Sequence, residues 1–516
     1  MQISKSEYLM FLKHPALLWY KKHDKKKLPP IDANLQAIFD AGNLFESYAE
    51  QIFENGLKLG FNNYNEYLSL PKRTKQAIEQ GNKTIFQGRF ETEEITCICD
   101  VIEMTGEKSL NLIEIKSGTS VKDENIYDLA FQAHVINLCG YEVDSIKVVT
   151  VNGQYVRNGD INVRELCNTT DVTAEAKEQI PETIELITQA HQFISRKQPP
   201  EVDPPEDGEG NLNAWLELYL YNNKTEKGSI FDLCWPKNRV AQLFGMGVKT
   251  LKEIPDEFEL SPKQKLQVQA TKSDELILDK KAIADFVAEF EFPLYFLDYE
   301  TLAGVVPAFD GLGPYKQLPF QYSLHVLRES GGPLEHYTYL HRENSSPVDA
   351  LSETLESQIG DSGTILTWNE KFEMGCNDLM AKISPKHKKL YKQINSRVKD
   401  LCVPFQKTWY VHKDFVGSYS IKKVLPVLVP ELSYSDLDIN EGAGAQRLWM
   451  QSVLDEKPGL NKEKILADLE KYCELDTLAM VKIYEHLVNL TSSNEANNLS
   501  SGISPKAEVA EKLSLF

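Results

Sequence analysis

The sequence predicts a multidomain protein of the α/β class, on three observations. Its 516 residues exceed what one hydrophobic core organises; at roughly 150 residues per domain they imply about three domains. Short apolar runs with the period-two pattern of strands alternate with longer stretches of helical periodicity. A proline- and acid-rich break then divides the chain into two halves, each of which repeats that α/β pattern. A composition of 42% hydrophobic and 26% charged residues is globular and excludes disorder throughout.

The charge and the cysteines narrow the class. With 56 basic and 76 acidic residues the net charge is −20, which argues against a protein that coats nucleic acid by bulk electrostatics; local patches and acidic active sites remain compatible with it. Basic clusters at Lys21 to Lys27 and Lys382 to Arg397 read as solvated faces. The eight cysteines show no repeated close pair of the kind a disulfide framework or zinc ribbon needs, and the strand alternation around Cys97 and Cys99 reads these two as buried thiols. No apolar run approaches the roughly 20 residues of a bilayer-spanning helix, and Met1 to Tyr8 lacks a secretory pattern. No membrane partner and a cytoplasmic location are expected.

The break runs from Pro199 to Gly210, too polar and too rich in proline to build a core, and reads as a linker. It opens a mainly helical connector to residue 284. There Gly245-Met-Gly247 is either a helix-hairpin-helix turn holding a phosphate on backbone N–H groups or a plain helix-to-helix turn. The expected units are therefore 1–198, the connector 199–284, 285–490, and a flexible Ser/Asn-rich tail, 491–516.

In the first unit, Cys97 to Met104 and Ser109 to Ser117 alternate as two strands around a Gly-containing turn, a hairpin. Pairing through that turn brings Asp100 beside Glu114, within about one residue of register, and period two puts Lys116 on the same side as Glu114. Clustered carboxylates repel unless a cation lies between them, so the pattern suits Mg²⁺ or Mn²⁺, with Lys116 holding the attacking water or the scissile phosphate. Upstream, Phe45, Tyr48, Ala49, Ile52 and Phe53 form an apolar helical stripe with Glu46 at its border. Downstream, Tyr127 to His134 continues an amphipathic helix carrying Gln132.

This order resembles the PD-(D/E)XK nucleases of the RecB family across essentially all of residues 1–198. The resemblance implies a restriction-endonuclease-like α/β core, in which Glu46 is the acidic helix position and a metal ligand, Asp100, Glu114 and Lys116 are the core, and Gln132 is the trailing glutamine. Ser4-Lys-Ser-Glu-Tyr-Leu9, His14-Pro15, Trp19 and Val151 to Arg157 are further matching text. Many relatives carry a cysteine ligand of an iron–sulfur cluster where His14 stands. Cys167 and Cys234 have no close cysteine partner, so no cluster is expected and His14 is read as a packing or capping residue.

In the second half, Leu294 to Thr301 is an apolar strand ending with Asp298 and Glu300 on one face, an expensive burial unless metal neutralises them. Thr364 to Asn369 reads as another strand, with Asn369 as the N-cap of a helix that carries Glu373. Ile465 to Met480 is helical, and Tyr472 and Asp476, four apart, share one face. The ordered set resembles the DnaQ-like, RNase H-fold 3′–5′ exonucleases of the DEDDy type. Asp298 and Glu300 match the first motif, Glu373 the second acid, and Tyr472 and Asp476 the third. Glu373 departs from the usual Asp, and its extra methylene is expected to move one metal outward.

The whole chain resembles a bacterial family of fused, functionally uncharacterised nuclease-like proteins. What this implies is a two-headed, metal-dependent phosphodiesterase acting on nucleic acid, DNA before RNA. In the second site two ions about 3.5–4 Å apart would clamp the reacting oxygens. Asp298 would bridge them, Glu300, Glu373 and Asp476 would complete the shells, and Tyr472 would orient the attacking water. The competing readings are a nucleic-acid-end grip inside a repair or defence complex, with one or both sites inactive, and a nuclease silenced by its other half.

Overall fold

The computed structural model describes residues 1–205, 209–434, 437, 439 and 441–492. It is a mixed α/β protein with two large sheets. The first contains β1 (Ile3–Ser4), β2 (Leu57–Lys58), β3 (Thr84–Glu91), β4 (Ile95–Met104), β5 (Ser109–Lys116), β6 (Glu142–Val151) and β7 (Cys167–Asp171), in the order β2-β3-β4-β5-β6-β7 with β1 beside β4. β3, β4 and β5 form an antiparallel meander. β6 then joins parallel to β5, a crossover that the Asp123–Leu138 helix supplies.

Alternation along the hairpin feeds two cores. Leu110 and Leu112 of β5 enter a cluster with Tyr8, Phe131 and Ile136, whereas Ile113 and Ile115 join Phe45, Ala49 and Val149 on the opposite face. Both faces are therefore covered, and a polar side chain on either is buried unless it sits at a strand end. The apolar stripe around Glu46 needs a correction: the Ala33–Ala49 helix carries Phe45, Tyr48 and Ala49, but Ile52 lies in a 3-10 turn and Phe53 is extended.

The second sheet follows a short strand, β8 (Ile277–Leu278). It comprises β9 (Leu294–Leu302), β10 (Leu318–Leu327), β11 (Leu334–Leu340), β12 (Thr364–Thr367) and β13 (Val398–Asp400), in the order β11-β10-β9-β12-β13. β9 to β11 are antiparallel; β12 and β13 add parallel strands. β14 (Tyr410–Val411) pairs β8. The Lys462–Ser492 helix packs on β9 and β10 and buries Leu469, Met480 and Ile483 there.

Three boundaries differ from the sequence expectation. Residues 199–205 form no helix or strand, yet they are pinned rather than loose: the Val202 carbonyl accepts from Trp215 Nε1 and the Asp203 carbonyl contacts His14 Nε2, both at 2.9 Å. A helix already begins at Glu209 and feeds a small core around Trp215, Ile230 and Leu243. The Lys280–Val287 helix crosses the expected boundary at 284 and buries Ile283 and Phe286 in the second large core. The tail expected from 491 lies, after Ser492, outside the described residues. Gly245-Met-Gly247 ends a seven-residue helix, with Gly247 at φ +76°, and leads through Thr250 into a 3-10 turn. His14 caps the Pro15–His23 helix by accepting from the Ala16 N–H, and Cys97 and Cys99 are buried. No helix among the described residues is long and apolar enough to cross a membrane.

The halves meet through the loop that follows β9. Val305 is buried among Phe45, Ile113 and Ile115. Arg157 Nη1 donates to the carbonyls of Pro307 (3.1 Å) and Ala308 (2.5 Å), and its backbone exchanges hydrogen bonds with Gly311 and Leu312. Tyr315 Oη donates to the carbonyl of Ser117, the residue after Lys116.

Two candidate metal centres

At the first centre the β4–β5 ladder pairs Val101 with Ile113, so its next step sets Asp100 opposite Glu114. There the strands part, and the Ile115 N–H donates to Asp100 Oδ2 at 2.8 Å. Lys116 Nζ lies 2.6 Å from Glu114 Oε1 and 2.9 Å from Asp128 Oδ2. Gln132 Nε2 donates at 2.8 Å to both Glu114 Oε2 and Asp128 Oδ1. Glu46 comes in from the end of its helix, and Gln87 Nε2 bridges it to Asp100. Gln87 holds φ +56° in the middle of β3, a left-handed conformation that costs a non-glycine residue about 1 kcal/mol or more and is tolerated where surrounding contacts enforce it. All five residues expected here, Glu46, Asp100, Glu114, Lys116 and Gln132, thus converge.

Three partners were not foreseen: Gln87, Asp128 and Lys5. Lys5 Nζ is 2.9 Å from Glu114 Oε1 and 3.7 Å from Asp128 Oδ1. Asp128 stands one turn before Gln132, an i,i+4 pair visible in the sequence, whereas nothing local announces Lys5, 109 residues from Glu114. The electrostatics divide the acids. Burial raises Asp100 to about 8, with Glu114 adding to it. Glu114 is buried too, but Lys5 and Lys116 hold it well below the usual carboxylate range. Burial and Glu50 raise Glu46, and the carboxylates around Lys5 and Lys116 hold both ammonium groups charged against their own burial.

At the second centre Asp298 and Glu300 sit on one face of β9, Glu373 on the first turn of the Glu370–Ile383 helix, and Tyr472 and Asp476 on the Lys462–Ser492 helix. All five line one cleft of about 460 Å³ with Lys422, Trp368 and Gln446. Glu300, Glu373, Tyr472 and Asp476 are each less than a tenth exposed. Burial raises Glu300 to about 8, reinforced by Asp476; it raises Glu373 to about 8, reinforced by Asp400. Asp298, facing Asp476, Glu300 and Glu373, is driven well above its ordinary range, first by burial. Asp476 rises only to about 6, because burial is opposed by a 2.6 Å hydrogen bond from Tyr434 Oη and by Lys422.

Lys422 Nζ lies 5.1 Å over the Tyr472 ring and 5.6 Å over that of Tyr434. Burial pushes the Tyr472 hydroxyl up, next to Asp476, so it keeps its proton. Cys473 is buried 4.0 Å from Asp298 Oδ2, and ligand atoms of Asp298, Glu300 and Cys473 fall within 4.8 Å of one another. Asn369 corrects the expected cap: it precedes the helix with φ +125° and no side-chain cap bond, and it lines the cleft instead.

The two centres accept a divalent cation differently. In the second, the donors are carboxylates, Glu373 Oε2 is buried without a hydrogen-bond partner, and the mutual repulsion of four acids is what a hard, oxygen-seeking ion relieves. Asp298, Glu300, Glu373 and Asp476 therefore fit Mg²⁺ or Mn²⁺. In the first, Glu114 Oε1 takes two lysines and Oε2 takes Gln132. Asp100 and Glu46 offer oxygens, but Glu114 meets a cation by sharing or giving up a donor.

Residues 295–420 match the model of a domain of unknown function, DUF2779. That segment starts inside β9, contains Asp298, Glu300 and Glu373, and ends before Tyr472 and Asp476. The uncharacterized protein UU173 of Ureaplasma parvum serovar 3 is 22% identical over 247 residues, 42% of this chain and 34% of the relative. The chain thus spans about a third of that relative's length.

Proposed function

We propose that the chain is a metal-dependent nuclease that hydrolyses phosphodiester bonds of DNA, with RNA the lesser substrate. The C-terminal unit, read as an RNase H-like DEDDy domain, would carry a 3′–5′ exonuclease centre. The N-terminal unit, read as a PD-(D/E)XK domain of restriction-endonuclease-like fold, would carry a second nuclease centre. One observation carries the reading: four carboxylates from three separate elements, three of them buried and Asp298 partly so, meet in a single open cleft with a tyrosine one turn from the last. The second sheet, a three-stranded antiparallel meander extended by two parallel strands, supports the assignment of its unit.

Asp298, Glu300, Glu373 and Asp476 would hold the divalent ions, which supply Lewis acidity and charge neutralisation to an in-line displacement. Asp298 is the shared neighbour, since Asp476, Glu300 and Glu373 all act on it. Tyr434 fixes one oxygen of Asp476 and so its rotamer. The protonated Tyr472 hydroxyl is a donor within the cleft, suited to orienting the attacking water. Lys422 adds positive charge beside it, which offsets the acids that a phosphate would meet there. At the first centre Lys116 and Lys5 keep their protons and present two cations to a phosphate, while Asp100 and Glu46 remain for metal. Incubation with end-labelled single- and double-stranded DNA and RNA in Mg²⁺ and Mn²⁺ tests the reading. Hydrolysis that requires the metal and is lost in Asp298→Ala supports it; inert substrates under all conditions would refute it.

A specific observation favours a second reading for the N-terminal half alone. Glu114 is already held by Lys5 and Lys116 on Oε1 and by Gln132 on Oε2, as expected of a centre that grips a nucleic-acid end without cutting it.

A further inference from the structure

On the β10–β11 ladder, outside the residues that line the acidic cleft, His325 stands directly opposite His336, and their rings stack with centroids 4.3 Å apart. The Lys462–Ser492 helix brings Thr477 and Glu474 to the same place: Thr477 Oγ1 lies 2.8 Å from His325 Nδ1, and Glu474 Oε1 lies 3.7 Å from His336 Nδ1.

Each imidazole turns one nitrogen to a pair of hydroxyls: His325 Nδ1 lies 2.8 Å from Thr477 Oγ1, His336 Nε2 lies 2.9 Å from Ser323 Oγ, and the two hydroxyl oxygens are 2.7 Å apart. A hydroxyl both donates and accepts, so each ring can place its proton on the nitrogen turned to this pair and leave His325 Nε2 and His336 Nδ1 as acceptors. Thr477 donating to the Glu474 carbonyl, 3.1 Å away, is compatible with that tautomer. Burial keeps His325 neutral, with a value lowered to about 3, and lowers His336 as well. In this tautomer His336 Nδ1 turns a lone pair toward Glu474, an arrangement that a bound cation stabilises.

We propose that His325, His336 and Glu474 form a binding site for a late first-row divalent ion, Zn²⁺ before others. One ligand atom from each lies within 4.8 Å of the other two. Zinc bonds of about 2 Å draw donors closer than that, and His336 and Glu474, both solvent-facing, have room to close in. Two neutral imidazoles and one carboxylate are a zinc ligand set, whereas Mg²⁺ takes oxygen and keeps its waters. Thr477 holds the buried His325 ring from behind, as a hydrogen-bond partner does behind a metal-bound histidine, and the solvent-facing His336 ring turns out of its stacked position to bring Nδ1 to the ion. The site is also a clamp. Ser323 pairs with Asp298 across the β9–β10 ladder and Thr477 follows Asp476, so a bound ion ties the β10–β11 hairpin to the helix that carries Tyr472 and Asp476.

The test is calorimetric titration of the metal-free full chain with Zn²⁺ in saturating Mg²⁺, which occupies oxygen-only sites, with the visible spectrum of Co²⁺ as a second readout. One Zn²⁺ per chain is expected, at least tenfold weaker in His336→Ala and in Glu474→Gln and unchanged in Asp298→Ala; Co²⁺ should gain d–d bands that both surface variants lose. Thermal melts verify that the variants fold. Absence of zinc binding, wild-type affinity in the two surface variants, loss only in Asp298→Ala, or a doubly protonated His336 at pH 7 by ¹⁵N NMR would each overturn the site.

Discussion

Tyr434 donates a 2.6 Å hydrogen bond to Asp476 Oδ1, and that bond, helped by Lys422, keeps Asp476, at about 6, below its buried neighbours. A donor to a carboxylate stabilises the charged form, so its removal moves the carboxylate's titration upward. In Tyr434→Phe the acid limb of the pH–rate profile of the C-terminal activity should shift to higher pH, with the plateau rate reduced several-fold or less. A profile that does not move would mean that Asp476 ionisation does not limit the reaction.

Glu373 makes the metal-free protein less stable as pH rises. Its folded value, about 8, exceeds its unfolded value of 4.5, so the folded chain binds the proton more tightly than the unfolded chain. Below the unfolded value both states are protonated and nothing is lost. Between the two values stability falls, by up to about 1.4 kcal/mol per pH unit. Urea unfolding in EDTA should therefore show Glu373→Gln gaining on the wild type steadily from pH 5 to pH 8. Mg²⁺, which favours the ionised carboxylate, should shrink that gain.

Lys5 is the least conspicuous member of the first centre and a large contributor to its balance. Lys5→Met leaves Glu114 and Asp128 with Lys116 alone, and breaking one side of a buried ion pair costs about 3–5 kcal/mol. The loss should appear as a lower urea midpoint at pH 7, partly recovered in Lys5→Arg. A midpoint within error of the wild type would show that Lys116 alone suffices to hold the acids.

The hairpin that brings Asp100 to Glu114 was legible because turn length and period two set the register, and the ladder obeys that count. Asp298 with Glu300, and Tyr472 with Asp476, were legible for the same reason: each pair lies within one element whose period is known. Lys5, Gln87 and Tyr434 were not, because each reaches its carboxylate across the fold, and in Gln87 through a left-handed residue inside a strand that no propensity anticipates. Asn369 carried a cap's sequence but has a conformation that no cap uses. The docking of Val305 and Arg157 between the halves was illegible too, since both segments are irregular and bear no periodic signal.

Digestion of end-labelled DNA by two single variants tests whether the chain holds two independent nuclease centres. Asp298→Ala should abolish stepwise release of mononucleotides from a 3′ end, because it removes the acid that the other three all adjoin, while cleavage into longer fragments persists. Lys116→Ala, which touches only the first centre, should keep mononucleotide release and lose the longer fragments. If each variant, shown to be folded by its thermal melt, lost both activities, the two-centre account would be contradicted and a single composite site would stand in its place.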